Sequence, residues 1–160
     1  MPSQSKQLLI IGHAPSPNAQ SLCNALLDGA QDKQIEAVSS QLKSPFDTTA
    51  TDVLNANAII LLTTENFGYM NGALKDFFER VYYPCLEQPE LNEAKAYSLV
   101  VKAGLDGTGA TNSVQKIIVG LKWREAAPVL LCKGKYTKDF EAQCYEHAFT
   151  VAASLDANLI

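Results

Sequence analysis

Short apolar runs alternate along this chain with stretches that carry a helical pattern. Five strand-like runs cover residues 6–12, 34–40, 57–63, 96–104 and 127–134. Five helical patterns cover residues 18–31, 49–56, 72–83, 111–121 and 140–155, with Pro84 ending the third of them. Apolar runs bounded by glycine are typical of strands buried on both faces. The alternation predicts a single α/β domain over residues 1–160, with a parallel sheet, right-handed crossovers and helices on both faces.

Composition excludes several classes of partner. Seventeen acidic residues against 13 lysines and arginines give a net charge of −4, and no basic run is present. We therefore expect no nucleic-acid partner and no anionic-membrane surface. The polar N-terminus and the shortness of every apolar run predict a cytoplasmic protein without a membrane segment. Four cysteines fit neither a zinc pattern nor a C-x-x-C pair, which predicts buried, reduced thiols.

The loops that follow the first, third and fourth predicted strands are the most informative segments. In an open parallel sheet, ligands bind beyond the carboxyl ends of the strands, where the strand order reverses. These loops read "GHAPSPNAQS", "TTENFGYMNG" and "AGLDGTGAT". We therefore expect them to meet at one crevice.

The first loop has the composition of a phosphate site. Asn18 is the predicted helix N-cap, and the main-chain N–H groups of residues 18–21 would face an anion. Ser16, Gln20 and Ser21 add polar donors. The loop contains no lysine and matches neither G-x-x-x-x-G-K-[ST] nor G-x-G-x-x-G, which predicts a monophosphate held by neutral donors. A turn with a helix cap is the alternative for this loop, and for His13 the position at a strand end favours a structural role over a catalytic one.

The other two loops predict contacts to a flat ring. Phe67, Tyr69 and Met70 would form an apolar wall, although the same side chains could pack into the core. The third loop, in which Thr108 is the predicted N-cap, would expose backbone donors unless it is only a connector. A ligand with a terminal phosphate, a flexible chain and a polar-edged ring fits all three loops, and flavin mononucleotide (FMN) is such a ligand.

Three segments also resemble a known family. "TTENFGYMNGALKDFFERVYYP" resembles the T-P-E-x-x-G-x-x-x-G-A-L-K segment of flavodoxin-like NAD(P)H-dependent FMN reductases and quinone oxidoreductases. "AGLDGTGA" and "GHAPSPNAQSL" are similar to that family's G-x-D-G-T-G-A loop and S-x-S-x-N-T phosphate loop. The resemblance implies a flavodoxin-like three-layer sandwich, with a five-stranded parallel sheet in the order 2-1-3-4-5.

The resemblance and the loop compositions together define a set of predicted FMN-binding residues. The first loop contributes His13, Ser16, Asn18, Ala19, Gln20 and Ser21; the second Thr64, Glu65, Asn66, Phe67, Gly68 and Tyr69; the third Gly104, Asp106 and Gly107. Tyr69 and Asn71 are also candidate ring or substrate contacts. Ala19 replaces the usual threonine, and a lost hydrogen bond to phosphate lowers affinity roughly tenfold or more. Thr64 replaces the usual proline.

The implied activity is hydride transfer from NAD(P)H through FMN to a quinone, a flavin or a similar small acceptor. The flavin carries this chemistry, so no catalytic side chain is predicted. The resemblance also implies homodimerisation, which would complete the site through the apolar face of the 72–83 helix unless that face belongs to the core. A one-electron flavodoxin carrier is an alternative, although the net charge is modest and Trp123 lies outside the loops. An interaction module that has lost FMN is another.

Two further classes with this topology are excluded by single positions. Thr63 and Thr64 stand where a phospho-accepting receiver domain needs aspartate, and the first loop lacks the cysteine nucleophile of a low-molecular-weight tyrosine phosphatase.

Overall fold

A computed structural model describes residues 4–160. Its strands are β1 (Lys6–Gly12), β2 (Val38–Lys43), β3 (Ala58–Asn66), β4 (Tyr69–Met70), β5 (Ala96–Ala103), β6 (Arg124–Glu125) and β7 (Leu130–Lys133). Its α-helices are α1 (Pro17–Ala30), α2 (Ala50–Asn55), α3 (Gly72–Leu86), α4 (Pro89–Asn92), α5 (Thr108–Leu121) and α6 (Asp139–Asp156), and a 3₁₀ turn covers Pro45–Asp47.

The sheet confirms the predicted three-layer α/β fold and its strand order. The main path runs β2-β1-β3-β5-β6, all parallel, and β7 also pairs with β5 in parallel. The predicted fifth strand, residues 127–134, is present only as β7, and the short strand β6 lies before that range, separated from β7 by residues 126–129. Pro128 lies in that gap, where a residue without an N–H group cannot continue a ladder. An additional strand, β4, pairs antiparallel with β3.

Two apolar cores flank the sheet, which explains the continuous apolar runs. Alternate residues of β3 point to opposite faces: Ile59 packs toward α2, α3 and α5, whereas Ile60 packs toward α1 and α6. In β1, Leu9 packs on the same face as Ile59, and Leu8 packs on the same face as Ile60. A strand covered by helices on both faces has no solvent-facing side, so the central positions of β1 and β3 are all apolar.

Several predicted boundaries were wrong. β3 continues past Thr63 to Asn66, and β2 begins only at Val38. Pro84 does not end α3, which continues to Leu86. A proline so close to the C-terminus of a helix removes only one main-chain hydrogen bond, and its fixed φ suits the helix.

The cysteines are free and buried, as predicted. Burial raises the pKa of both Cys23 and Cys85 to about 11, so these thiols are protonated at neutral pH. Trp123 is buried beside the N-terminal end of β5, where its Nε1–H donates to Asn92 Oδ1 (2.7 Å). No helix in residues 4–160 is long and apolar enough to cross a membrane.

Candidate ligand-binding site

The carboxyl ends of β1, β3 and β5 lie side by side. Gly12, the last residue of β1, is the register partner of Leu62, and Thr64 is the partner of Lys102. The three loops singled out from the sequence therefore leave the sheet at one edge. Gly12 also sets the spacing between β1 and α1, because a Cβ there would lie 2.7 Å from Cys23 Sγ.

The start of α1 differs from the prediction. Ser16, not Asn18, is the N-cap: its Oγ accepts the Ala19 N–H (3.2 Å), and Pro17 occupies the first helical position. The Gln20 N–H donates to the Ser16 carbonyl (2.9 Å), which is the first main-chain bond of the helix. The amides of Ala19 and Gln20, which were predicted to face a phosphate, therefore already have partners. The main-chain N–H of Asn18 comes before that first bond and takes no part in it.

A cavity of about 180 Å³ opens beside this helix start. It is lined by His13, Ser16, Asn18, Ala19, Leu22, Leu62, Thr64, Lys102 and Tyr136. Five of these residues were predicted as ligand contacts, and they come from loops about 50 positions apart in the sequence. The other ten predicted contacts are not among them: Gln20 and Ser21 of the first loop, residues 65–69 of the second, and Gly104, Asp106 and Gly107 of the third. The exposed Gln20 side chain donates to Asn24 Oδ1 (2.9 Å) instead.

Lys102 and Tyr136 line the cavity but escaped the sequence prediction. Lys102 is the second-last residue of β5, and Tyr136 lies in the loop between β7 and α6. The Tyr136 hydroxyl donates to Glu141 Oε2 (2.9 Å). Burial and this carboxylate raise the pKa of Tyr136, and a hydrogen bond involving Ser21 acts against them. The prediction of neutral donors concerned the first loop, and Lys102 brings a lysine to the cavity wall from a different strand.

The second loop is a tight hairpin. Glu65 pairs with Met70 and Asn66 with Tyr69, so only Phe67 and Gly68 form the turn. Their φ angles of 54° and 70° are typical of a type I′ turn. A positive φ is strained for a phenylalanine, and the side chain at this position is fully exposed at the tip.

Hydrogen bonds hold this hairpin against α3 and α5. The Met70 N–H donates to Ser113 Oγ (3.1 Å), and the Asn71 N–H donates to Thr63 Oγ1 (3.0 Å). Asn71 Oδ1 accepts the Leu74 N–H (2.8 Å), which caps α3. Asn71 is therefore a buried cap, and its predicted contact with a ring or substrate was wrong. Met70 is buried in the core, whereas Tyr69 is partly exposed.

The third loop is tied to the second by a carboxylate. The Leu105 N–H donates to Glu65 Oε1 (3.0 Å). Asp106 Oδ1 accepts the Thr108 N–H (3.0 Å), and this hydrogen bond is the main reason that the pKa of Asp106 is below its usual range. Gly107, at φ 71°, is the N-cap of α5, so the prediction of Thr108 was one residue late. Gly104 and Asp106 are exposed.

No protein-family model and no curated protein matches the sequence. Solved structures do match. An archaeal flavodoxin superposes with a TM-score of 0.76 at 17% identity, over 93% of this chain and 98% of that one. Rubredoxin oxygen:oxidoreductase from Desulfovibrio gigas gives 0.75 at 14% identity, over 98% of this chain and 38% of that one. A WrbA-like flavodoxin from Agrobacterium tumefaciens gives 0.70 at 13%, over 96% and 98%. The chain therefore has a flavodoxin-like fold.

Proposed function

We propose that this flavodoxin-like chain is an FMN-binding oxidoreductase that passes hydride from NAD(P)H to a quinone, a flavin or a similar small acceptor. One observation carries the FMN part of the proposal: His13, Ser16, Asn18, Ala19 and Thr64, predicted from separate loops, line one cavity at the carboxyl edge of the sheet. Ligands of open parallel sheets bind at this edge.

The size and chemistry of the cavity fit the phosphate end of FMN. Its volume of about 180 Å³ is below the roughly 300–1,000 Å³ of a pocket that encloses a whole cofactor. Ser16 and Asn18 offer hydroxyl and amide groups, Lys102 offers a positive charge, and no acidic side chain of residues 4–160 lines the wall. The isoalloxazine ring would then lie outside the cavity, along the rim formed by the hairpin and the third loop.

When bound, FMN supplies the hydride and electron-transfer chemistry, and the chain positions it. Ser16 and Asn18 would hold the phosphate and so fix the ribityl chain. Phe67 and Tyr69 would offer aromatic surface to the ring. The bond from Leu105 to Glu65 would keep the two ring-flanking loops at a fixed separation. No side chain is required as an acid or a base.

The test of the site is to place a negative charge at the start of α1. Asn18→Asp keeps the size of the side chain and suits a helix N-terminus, so the fold should be retained. The new carboxylate should repel the phosphate and weaken FMN binding about tenfold or more, while riboflavin, which lacks a phosphate, should bind unchanged. Both affinities are measured by quenching of flavin fluorescence.

Asn24→Asp is the matched control. Asn24 is exposed on the same helix and accepts from Gln20 through its side-chain oxygen, which aspartate can also do. This variant should bind FMN like the wild type. Equal FMN affinity in the Asn18 and Asn24 variants would show that the phosphate does not lie at the start of α1.

Hydride transfer separates the proposed enzyme from a one-electron carrier. We expect NADH or NADPH, added anaerobically to the FMN-loaded protein, to bleach the flavin absorbance on the time scale of enzyme turnover. FMN alone under the same conditions is the control. If FMN binds but neither NADH nor NADPH reduces it, the result would contradict the enzymatic part of the proposal and would favour a one-electron carrier.

A further inference from the structure

Lys102 is the charged side chain that the fold brings to the predicted phosphate cavity. It stands at the carboxyl end of β5, where its register partner on β3 is Thr64. Lys102 lies more than 80 positions after Ser16 and Asn18, yet all three line one cavity. The lysine that the first loop lacks is therefore supplied by a different strand.

The surroundings of Lys102 leave its charge without a carboxylate. Its Nζ donates to the Gly134 carbonyl (2.6 Å), lies 3.4 Å from the Ala103 carbonyl, and sits 5.5 Å from the centroid of the Phe140 ring. The ion pairs formed within residues 4–160 all use other lysines and arginines. A half-buried ammonium held only by neutral groups favours an anion in the adjoining space.

We propose that Lys102 is the cationic partner of the ligand's phosphate and compensates for the hydroxyl that is missing at Ala19. This inference rests on the proposed function, because it assigns a residue to the FMN site. An ammonium has three donor hydrogens, so the bonds to Gly134 and Ala103 leave capacity for a phosphate oxygen. A charge-assisted hydrogen bond is roughly twice as strong as a neutral one, so one lysine can replace a lost hydroxyl.

Two consequences distinguish this role from a purely structural one. The contribution of Lys102 should appear with FMN and disappear with riboflavin, because only FMN carries the phosphate. It should also weaken as ionic strength rises, because salt screens the interaction of charges at a partly open site. A lysine that merely joined β5 to the loop after β7 would affect both flavins equally.

The experiment compares the full-length wild type with Lys102→Met, Lys102→Arg and a control, Lys135→Met. Lys135 is exposed beside Tyr136 and does not line the cavity, so the control removes the same net charge nearby. Dissociation constants for FMN and riboflavin are measured by fluorescence quenching at low and high ionic strength. Thermal unfolding without ligand reports on the fold of each variant.

We expect Lys102→Met to weaken FMN binding about tenfold or more at low salt, to leave riboflavin affinity unchanged and to flatten the salt dependence. Lys102→Arg should restore most of the FMN affinity, and Lys135→Met should behave like the wild type. Unchanged FMN affinity, or an equal loss for both flavins, would overturn the inference while leaving FMN binding itself established. Failure of the wild type to bind either flavin would overturn the proposed function and this inference together.

Discussion

His147 shows at the scale of one residue how burial sets a protonation state. Its Nε2 lies 2.9 Å from Ser98 Oγ, between α6 and the fully buried centre of β5. Burial lowers the pKa of His147 to about 4, because the charged imidazolium would lose its hydration there. The neutral ring is thus part of the packing between helix and sheet.

This shift predicts a loss of stability in mild acid. An unfolded histidine binds its proton near pH 6.5, and folded His147 only near pH 4, so the unfolded state gains protons first as the pH falls. The free energy of unfolding should be fully retained above pH 6.5. It should fall by on the order of 3 kcal/mol between pH 6.5 and 4, and the contribution of His147 should then level off.

Urea unfolding at a series of pH values checks this prediction against two variants. His147→Gln should lose most of the pH dependence in that interval, and His13→Gln should retain it. A wild-type profile that is flat between pH 6.5 and 4 would contradict a buried neutral histidine.

At the scale of elements, the contact between the hairpin and α5 positions the site. A Cβ built on Gly109 would lie 1.8 Å from the Gly68 carbonyl oxygen, so only glycine allows this approach. The hairpin turn, the start of α5 and the Glu65–Leu105 bond therefore form one unit beside the cavity. Moving the turn would move Phe67 and the whole rim.

Gly109→Ala should displace this unit. Because the clash is with main chain, the hairpin must shift, and we expect a loss of about 1–3 kcal/mol in the free energy of unfolding together with weaker FMN binding. Gly72→Ala is the control, since no atom lies within 4 Å of its Cβ and its φ is not positive. Chemical denaturation and FMN titration measure both effects. Equal behaviour of the two variants would show that the Gly68–Gly109 contact does not fix the hairpin.

At the scale of the whole molecule, the sequence predicts the sheet well because strands covered on both faces read as unbroken apolar runs. β1 and the first part of β3 show this, and β5 shows it apart from Ser98, whereas the end of β3 does not, because Glu65 and Asn66 are held by pairing with β4 rather than by burial. Pairing of that kind depends on the turn at Phe67 and Gly68, whose positive φ angles are not evident from apolar periodicity.

The residues of the candidate site also fall into some that the sequence predicts and some that it does not. Ser16 and Asn18 were predictable because they belong to a loop that directly follows a strand, and Thr64 because it comes at the end of a clear apolar run. Lys102 was not, because a lysine near a strand end is usually solvated, and its place depends on the register between β5 and β3. Tyr136 comes to the cavity from the loop before α6, and no local pattern marks it.

The central claim is that the cavity beside α1 holds the phosphate of FMN, and a visible-absorbance titration of the wild-type protein with FMN tests it most directly. We predict a saturable change in the flavin spectrum at micromolar ligand, with one FMN bound per chain. A spectrum that stays identical to free FMN at every protein concentration would contradict the account and would leave a flavodoxin-like chain that does not bind the flavin.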